Sequence, residues 1–257
     1  PGVVLARGRG AHRRAAAALF LRFLPRLLRG WVVIVPEPEV LDQHRGLVRP
    51  VRVVNASLWL REIPPAPRNV FPLSAGALSV LFVGRLDAVK GLGVLLRALA
   101  TLHDLPWRLV IVGGRSRVHE EALARSLGIG DRVRFVGQVA REQVASYYRR
   151  ADVLVVPSLS EMSPKVVVEA MAYGAVVVGS RVGAIPRLLR GGRGVLTDPG
   201  QPHQIADALQ ALYRHPEAVP EIQRNAWLFA RQNSLDRVTA RIGAVLSREL
   251  GLELSPR

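Results

Sequence analysis

Two carboxylates, Glu161 and Glu169, stand in a segment (residues 158–174) whose other residues indicate what they would be used for. The segment follows an apolar run, 152–157, that reads as a buried parallel strand. Ser163 is suited to cap a helix, and Pro164 to its first position, where the missing N–H has no partner to lose. Gly174 is placed to end that helix. Glu161 then falls in the loop after the strand, and Glu169 about a turn and a half into the helix. Between them lie the unpaired N–H groups of the helix start, an anion site made of backbone. A ligand with phosphate in its middle and hydroxyls at both ends matches that order, and a sugar nucleotide is built this way.

A second group of chemically useful residues lies earlier, where an apolar run ends at Val83 and is followed by Gly84, Arg85, Lys90 and Gly91. Gly84 lets a phosphate approach the backbone, while Arg85 and Lys90 bracket the turn as cations. Arginine suits bidentate contact with phosphate and lysine acts as a point charge. The group is not a P-loop, because the spacing and the Lys-Ser/Thr pair are missing. Gly113, Gly114, Gly137, Gly191 and Gly192 read as backbone punctuation, whereas Gly183 precedes a helix beside the first site.

Several chemistries are absent from the pattern. No Gly-x-Gly-x-x-Gly opens the sheet, which argues against a dinucleotide cofactor. The histidines (His12, His44, His103, His119, His203, His215) are scattered without metal-ligand pairing, and no Asp-x-Asp clamp for a metal-bound nucleotide occurs. There is no Gly-x-Ser-x-Gly elbow of a serine hydrolase. The expectation is therefore a site without metal or cofactor.

These residues must be held at the ends of strands, and the pattern supplies the strands. Apolar runs predict strands over 79–83, 108–112, 132–136, 153–156, 175–178 and 195–197, with earlier ones at 31–35 and 52–55. Helical patterns fall between them, over 92–102, 119–127, 141–150, 164–173, 184–189 and 202–213. Regular alternation with short Gly or Pro turns implies an α/β fold with a doubly wound, parallel, Rossmann-like sheet. Such sheets bind ligands at the carboxyl ends of their strands. Pro64, Pro65, Pro67 and Pro72 mark a linker, so the expected division is 1–72, 73–215 and a carboxyl-terminal helical part, 216–257.

The chain has 257 residues, a formal net charge of +16 and no cysteine, which excludes disulfides and thiolate metal sites, and nothing in it indicates secretion. Its first residue, Pro1, points to a fragment or a processed product. No apolar run reaches the roughly 18 residues that span a bilayer, so a cytoplasmic protein is expected. The charge admits an anionic membrane surface or nucleic acid as partner. Almost all of it is arginine, with lysine only at Lys90 and Lys165, as a biased coding composition plus phosphate binding would give. With 5% aromatic residues the chain lacks a stacking platform, which disfavours nucleic acid. Residues 1–30 carry Arg13, Arg14, Arg22, Arg26 and Arg29 around an apolar middle. This stretch reads either as a packed helix kinked near Pro25 or as a basic amphipathic helix peripheral at the inner face of a membrane.

Taken in order, the segments around Phe82–Gly84 and Lys90, 109–114, 133–137, 151–158 and Glu161-x7-Glu169 with Gly174 resemble a known family. It is the retaining glycosyltransferases of family 4, which have two facing Rossmann-like domains (GT-B), and the match is to the donor-binding carboxyl-terminal domain. It is close over residues 78–214. The resemblance implies that a sugar passes from a nucleotide-diphosphate sugar to an acceptor without a metal. Arg85 and Lys90 would hold the diphosphate, Glu161 the donor sugar and Glu169 the ribose. Backbone near Gly137, Gln138 and Val139 would meet the base, and the N–H groups of Ser163 and Lys165, around Pro164, the sugar and phosphate. One departure is Arg187, where the family often carries Glu. Another is length: residues 1–72 resemble only the last helix, strand and crossover of the acceptor-side domain. An active enzyme would then require a missing amino-terminal domain or a partner subunit. The competing expectation is a non-catalytic or decayed sugar-nucleotide-binding module.

Overall fold

The structure, a computed structural model, describes residues 33–35, 53–55, 60, 62–65, 76–114 and 117–250. The Arg-rich stretch 1–30 and most of the proline-rich linker lie outside the described residues. The chain forms two compact units, one of Pro1–Ser57 with Val238–Arg257 and one of Leu58–Arg237. In the first, β1 (Val33–Val35) and β2 (Val53–Asn55) pair in parallel, Val33 opposite Val53.

The second unit carries the candidate site. Its elements follow in alternation: β3 (Leu78–Val83), α1 (Leu92–Ala100), β4 (Trp107–Val112), α2 (Val118–Ser126) and β5 (Val133–Gly137). Then come α3 (Arg141–Arg150), β6 (Val153–Val156), α4 (Lys165–Ala172), β7 (Val176–Ser180), α5 (Ile185–Leu189) and β8 (Val195–Thr197). The helices α6 (Pro202–Arg214), α7 (Val219–Gln232) and α8 (Leu235–Leu250) complete the described chain. The expected boundaries recur to within a few residues, the usual play of helix and strand ends.

The six strands are all parallel, in the order β5-β4-β3-β6-β7-β8. Both faces are covered, and the central strand β6 (VLVV) is apolar and buried at every position. Successive residues feed opposite layers. Leu78, Val80 and Phe82 of β3 join Leu109 and Ile111 of β4 and Val153 and Val155 of β6 beneath α1 and α6. Leu81, Val112, Leu154, Val156 and Val177 face the other way, against α3, α4, α5 and α7. Sequence order reverses between β3 and β6, and a crevice opens at such a switch point beyond the carboxyl ends of the strands. Asp152, fully buried, ties the two strands at their other end: its Oδ2 accepts from the Ser79 N–H at 2.8 Å, and its own N–H donates to the Ser79 carbonyl.

Two arginines that the sequence offers only as surplus charge are part of this scaffold. Arg132 lies over the Trp107 ring (3.9 Å) and donates to the carbonyls of Leu105 and Trp107. Arg193 lies over Phe229 (4.2 Å) and donates to the carbonyls of Arg187 and Leu188 at the end of α5. In both, the guanidinium lies on an aromatic ring while its N–H groups donate to backbone carbonyls.

Candidate functional site

The loop after β3 turns through a short 3-10 segment, Ala88–Lys90, capped by Asp87, whose Oδ1 accepts from the Lys90 N–H at 3.2 Å. Gly91 closes it with φ 68°, a left-handed conformation that favours glycine. It also lies against the loop after β6: a Cβ on Gly91 would stand 2.0 Å from the Pro157 carbonyl oxygen. A backbone bond from the Leu159 N–H to the Val89 carbonyl (2.7 Å) joins the same two loops. The loop after β7 joins in turn. A Cβ on Gly183 (φ 52°) would stand 2.0 Å from the Glu161 carbonyl oxygen, and the Ala184 N–H donates to Met162. On the other side Gly113 approaches Gly84 so closely that its Cβ would lie 1.7 Å from the Gly84 oxygen. Loops from four strands are therefore fastened by backbone contacts that only missing side chains permit.

This fastening brings together two residues far apart in the chain. Lys90 Nζ donates to Glu161 Oε1, which also accepts from the buried Ser158 hydroxyl at 3.0 Å. Both charged side chains are mostly withdrawn from solvent, at 22% and 10% exposure, so the attraction is screened far less than at a surface. Arg85, by contrast, is 65% exposed and paired with Asp87 at 3.2 Å. A surface pair of this kind is worth little, so its guanidinium can turn to an incoming anion at small cost.

Arg85 and Gly84 line a recess of about 500 Å³ with Gly113, Gly114, Gln138, Val139 and Val144. Gly137 closes β5 at φ 88°, and its carbonyl accepts from Gly113, setting Gln138 and Val139 at the mouth. Gly84 has room for a side chain as far as the protein is concerned, its nearest neighbour being the Phe82 ring at 3.6 Å. The glycine that the fold demands here is Gly113.

Glu169 sits on α4, beyond the loop that carries Glu161, and in different surroundings. Its Oε2 accepts from the Tyr148 hydroxyl at 2.9 Å, and it lines a second recess, of about 460 Å³, with Leu60, Glu62, Arg141 and Tyr173. Val144 on α3 lines both recesses, so they meet at that residue. Burial holds the Tyr148 phenol well above its ordinary pKa, and the Glu169 charge adds to this. Tyr148 thus stays protonated and remains the donor. The sequence pattern misses this residue: on α3 it reads as one more apolar position, and its hydroxyl finds a partner only through the packing of α3 on α4.

The start of α4 differs from the expectation. The helix begins at Lys165, and Pro164 is its extended cap residue (φ −75°, ψ 98°), with no side chain capping from that position. Ser163 is therefore not the cap and Pro164 is not the first helical residue. Pro164 supplies the carbonyl that opens the helix, accepting from Val167 at 3.1 Å, and a proline holds the residue before it extended. The far end is as expected. Gly174, at φ 81°, donates to Met171 while Ala175 donates to Ala170, the paired bonds of a Schellman stop. Among the described residues no group of three or more His, Asp or Glu is placed to hold a metal ion, and no helix is long and apolar enough to cross a membrane.

The chain matches the family "Glycosyl transferases group 1" over residues 68–227. It is 36% identical over 217 residues to D-inositol 3-phosphate glycosyltransferase 2 of Catenulispora acidiphila, covering 78% of this chain and 51% of that one. It is also 36% identical over 226 residues to D-inositol 3-phosphate glycosyltransferase of Mycolicibacterium smegmatis, covering 83% and 52%. The chain spans about half the length of these curated relatives. Among solved structures, sucrose-phosphate synthase from Thermosynechococcus elongatus superposes with a TM-score of 0.74 at 28% identity, over 95% of this chain and 63% of that one. HepE of Anabaena, in complex with UDP-glucose, superposes at 0.73 and 23% identity, over 95% and 70%, and shows the shared fold.

Proposed function

Because the chain belongs to the group 1 glycosyl transferases and has the Rossmann-like fold of a GT-B carboxyl-terminal domain, we propose that it is the donor-binding part of a glycosyltransferase. The observation that carries the reading is the Lys90–Glu161 pair at the β3/β6 switch point, assembled from loops that the motifs single out separately. In this reading the nucleotide base enters the recess lined by Gly84, Gln138 and Val139, and the ribose lies at the junction near Val144, within reach of Glu169. The diphosphate lies against Arg85, Lys90 and the amino-terminal end of α4, and the donor sugar against Glu161.

The chemistry follows from the charges. Breaking the bond between the anomeric carbon and the diphosphate oxygen leaves negative charge on that oxygen. Fixed cations and helix N–H groups stabilise this charge as it forms, without reorganisation. Lys90 starts the cycle held by Glu161, so the pair positions the ammonium before the phosphate arrives. With both cations and helix dipole in place, this reading assigns the diphosphate no metal and the site no cofactor. We assign the reaction retention at the anomeric carbon, as in family 4. The exposed apolar side chains Val89, Leu159 and Met162 on the same loops would face the acceptor or the part of the enzyme that carries it. A nucleotide-sugar donor places the work in the cytoplasm.

Calorimetric titration with UDP-, GDP- and ADP-sugars tests the proposal, with Arg85→Ala and Glu169→Ala as controls. One donor is expected to saturate, and both substitutions to weaken it by about tenfold or more. Binding indifferent to both substitutions removes the site. Sugar transfer by the 257-residue chain alone would decide against a decayed binding module.

A further inference from the structure

We propose that Tyr148 is a positioning residue for nucleotide recognition: by holding Oε2 of Glu169 it leaves Oε1 as a fixed acceptor for ribose hydroxyls, and so sets a preference for ribonucleotides. The inference rests on the assignment of Glu169 to the ribose and goes beyond it, since it names what fixes that carboxylate and what the fixing selects.

Tyr148 is 1% exposed, and its hydroxyl meets Glu169 at 2.9 Å, so a buried phenol that must find an acceptor has a carboxylate as its partner. Hydrogen bonds to an ionised group are about twice as strong as neutral ones, and this one joins two helices. The ring cannot swing to release it. It stacks nearly parallel to Tyr173, with centroids 6.1 Å apart and planes 8° apart, and Tyr173 lies in turn beneath the Arg149 guanidinium at 5.0 Å. Tyr148, Glu169 and Tyr173 all line the same recess, which meets the one lined by Gly84 and Val139 at Val144.

A free glutamate on a helix samples several rotamers, and ordering it on binding costs affinity. Here one oxygen is already engaged by the phenol, on a residue that lines the recess. A ligand that offers two adjacent hydroxyls gains from this, and one without them does not.

The experiment compares two ligands on two proteins: the tightest binder among UDP, GDP and ADP, and its 2′,3′-dideoxy form, each titrated by calorimetry into the wild-type chain and into Tyr148→Phe. The substitution keeps the ring and removes the hydroxyl. Tyr148→Phe is expected to weaken the ribonucleotide by roughly tenfold, while the dideoxynucleotide changes by less than about twofold. Equal losses for both ligands, or no loss for either, overturn the inference by making the hydroxyl merely structural or irrelevant. Glu169→Gln separates this failure from a failure of the underlying assignment. If Glu169→Gln abolishes ribose discrimination and Tyr148→Phe preserves it, only the role of Tyr148 falls. A wild-type protein that binds both ligands equally, or binds no nucleotide, overturns the assignment of Glu169 and the inference with it. Should Tyr148→Phe fail to melt cooperatively, Glu169→Asp takes its place, because it keeps the charge but retracts the carboxylate from the phenol. Undiminished ribose preference in that variant also overturns the inference.

Discussion

Glu161 and Glu169 lie in one strand-loop-helix segment, yet each is held by a different kind of structure. Glu161 belongs to a loop with no regular hydrogen bonding of its own, and its place is set by contacts with two other loops, through Val89, Gly91 and Gly183. Its carboxylate is balanced by a cation, Lys90. Glu169 sits on a helix that a Schellman stop terminates and a core of Val167, Val168, Ala170 and Met171 anchors, and its carboxylate is balanced by a neutral buried phenol. A carboxylate beside a lysine suits a place where anionic charge arrives and changes during reaction. One that accepts from a buried phenol is held in place as an acceptor and suits recognition of hydroxyls that do not react.

The difference can be broken most forcefully through the backbone. Gly183→Ala places a Cβ within 2.0 Å of the Glu161 carbonyl oxygen at a φ of 52°, so the loop carrying Glu161 must move. Strain at positive φ and overpacking together predict a loss of about 3 kcal/mol in urea unfolding. Gly128→Ala, just after α2 at φ 70° with open space where its Cβ would stand, asks for conformational strain alone and is expected to lose about 1 kcal/mol. Equal losses would mean that the Glu161 loop is not wedged against its neighbour as described.

How much of this could be read from the chain follows from what each feature depends on. The parallel sheet was legible because strands buried on both faces must be apolar throughout, as 153–156 and 176–178 are. Lys90 and Glu161 stood out because each follows such a run, where a doubly wound sheet places its crevice. Their contact did not, since it spans 71 residues and depends on strand order. Ser163 and Pro164 were misplaced by one step because side-chain capping and a proline cap residue compete for the same few positions, and their sequences overlap. Gly91, Gly113 and Gly183 looked like turns, and their close approaches belong to tertiary structure. Arg132 and Arg193 looked like surplus charge until the rings and carbonyls they serve were in place.

A sharper contrast comes from separating phosphate from ribose. Lys90→Ala is expected to weaken a nucleoside diphosphate by roughly 30-fold while leaving the matching nucleoside within about twofold, since the lost partner is a charge-assisted contact to phosphate. Glu169→Ala is expected to weaken both by a similar factor of about tenfold, because both carry the ribose. Fluorescence or calorimetric titration of the four pairs reads the result directly. If Lys90→Ala harms the nucleoside as much as the diphosphate, the two acids do not divide the ligand between them.

The smallest expected effect concerns pH and isolates the phenol. Tyr148 has its pKa raised in the folded protein, first by burial and then by the Glu169 charge, relative to an unfolded tyrosine near 10. The sign follows from linkage. Below about pH 10 both states keep the proton and the stability is fully present. As pH rises from the unfolded value towards the folded one, only the unfolded chain releases its proton, and stability falls by up to about 1.4 kcal/mol per pH unit. Thermal melting between about pH 9 and 11 should therefore show a steeper decline in Tm for the wild type than for Tyr148→Phe. The difference should amount to about 1 kcal/mol at the upper end. Matching slopes for wild type and Tyr148→Phe would mean that the hydroxyl reaches water in the folded protein, and Glu169 would then lack the fixed partner that distinguishes it from Glu161.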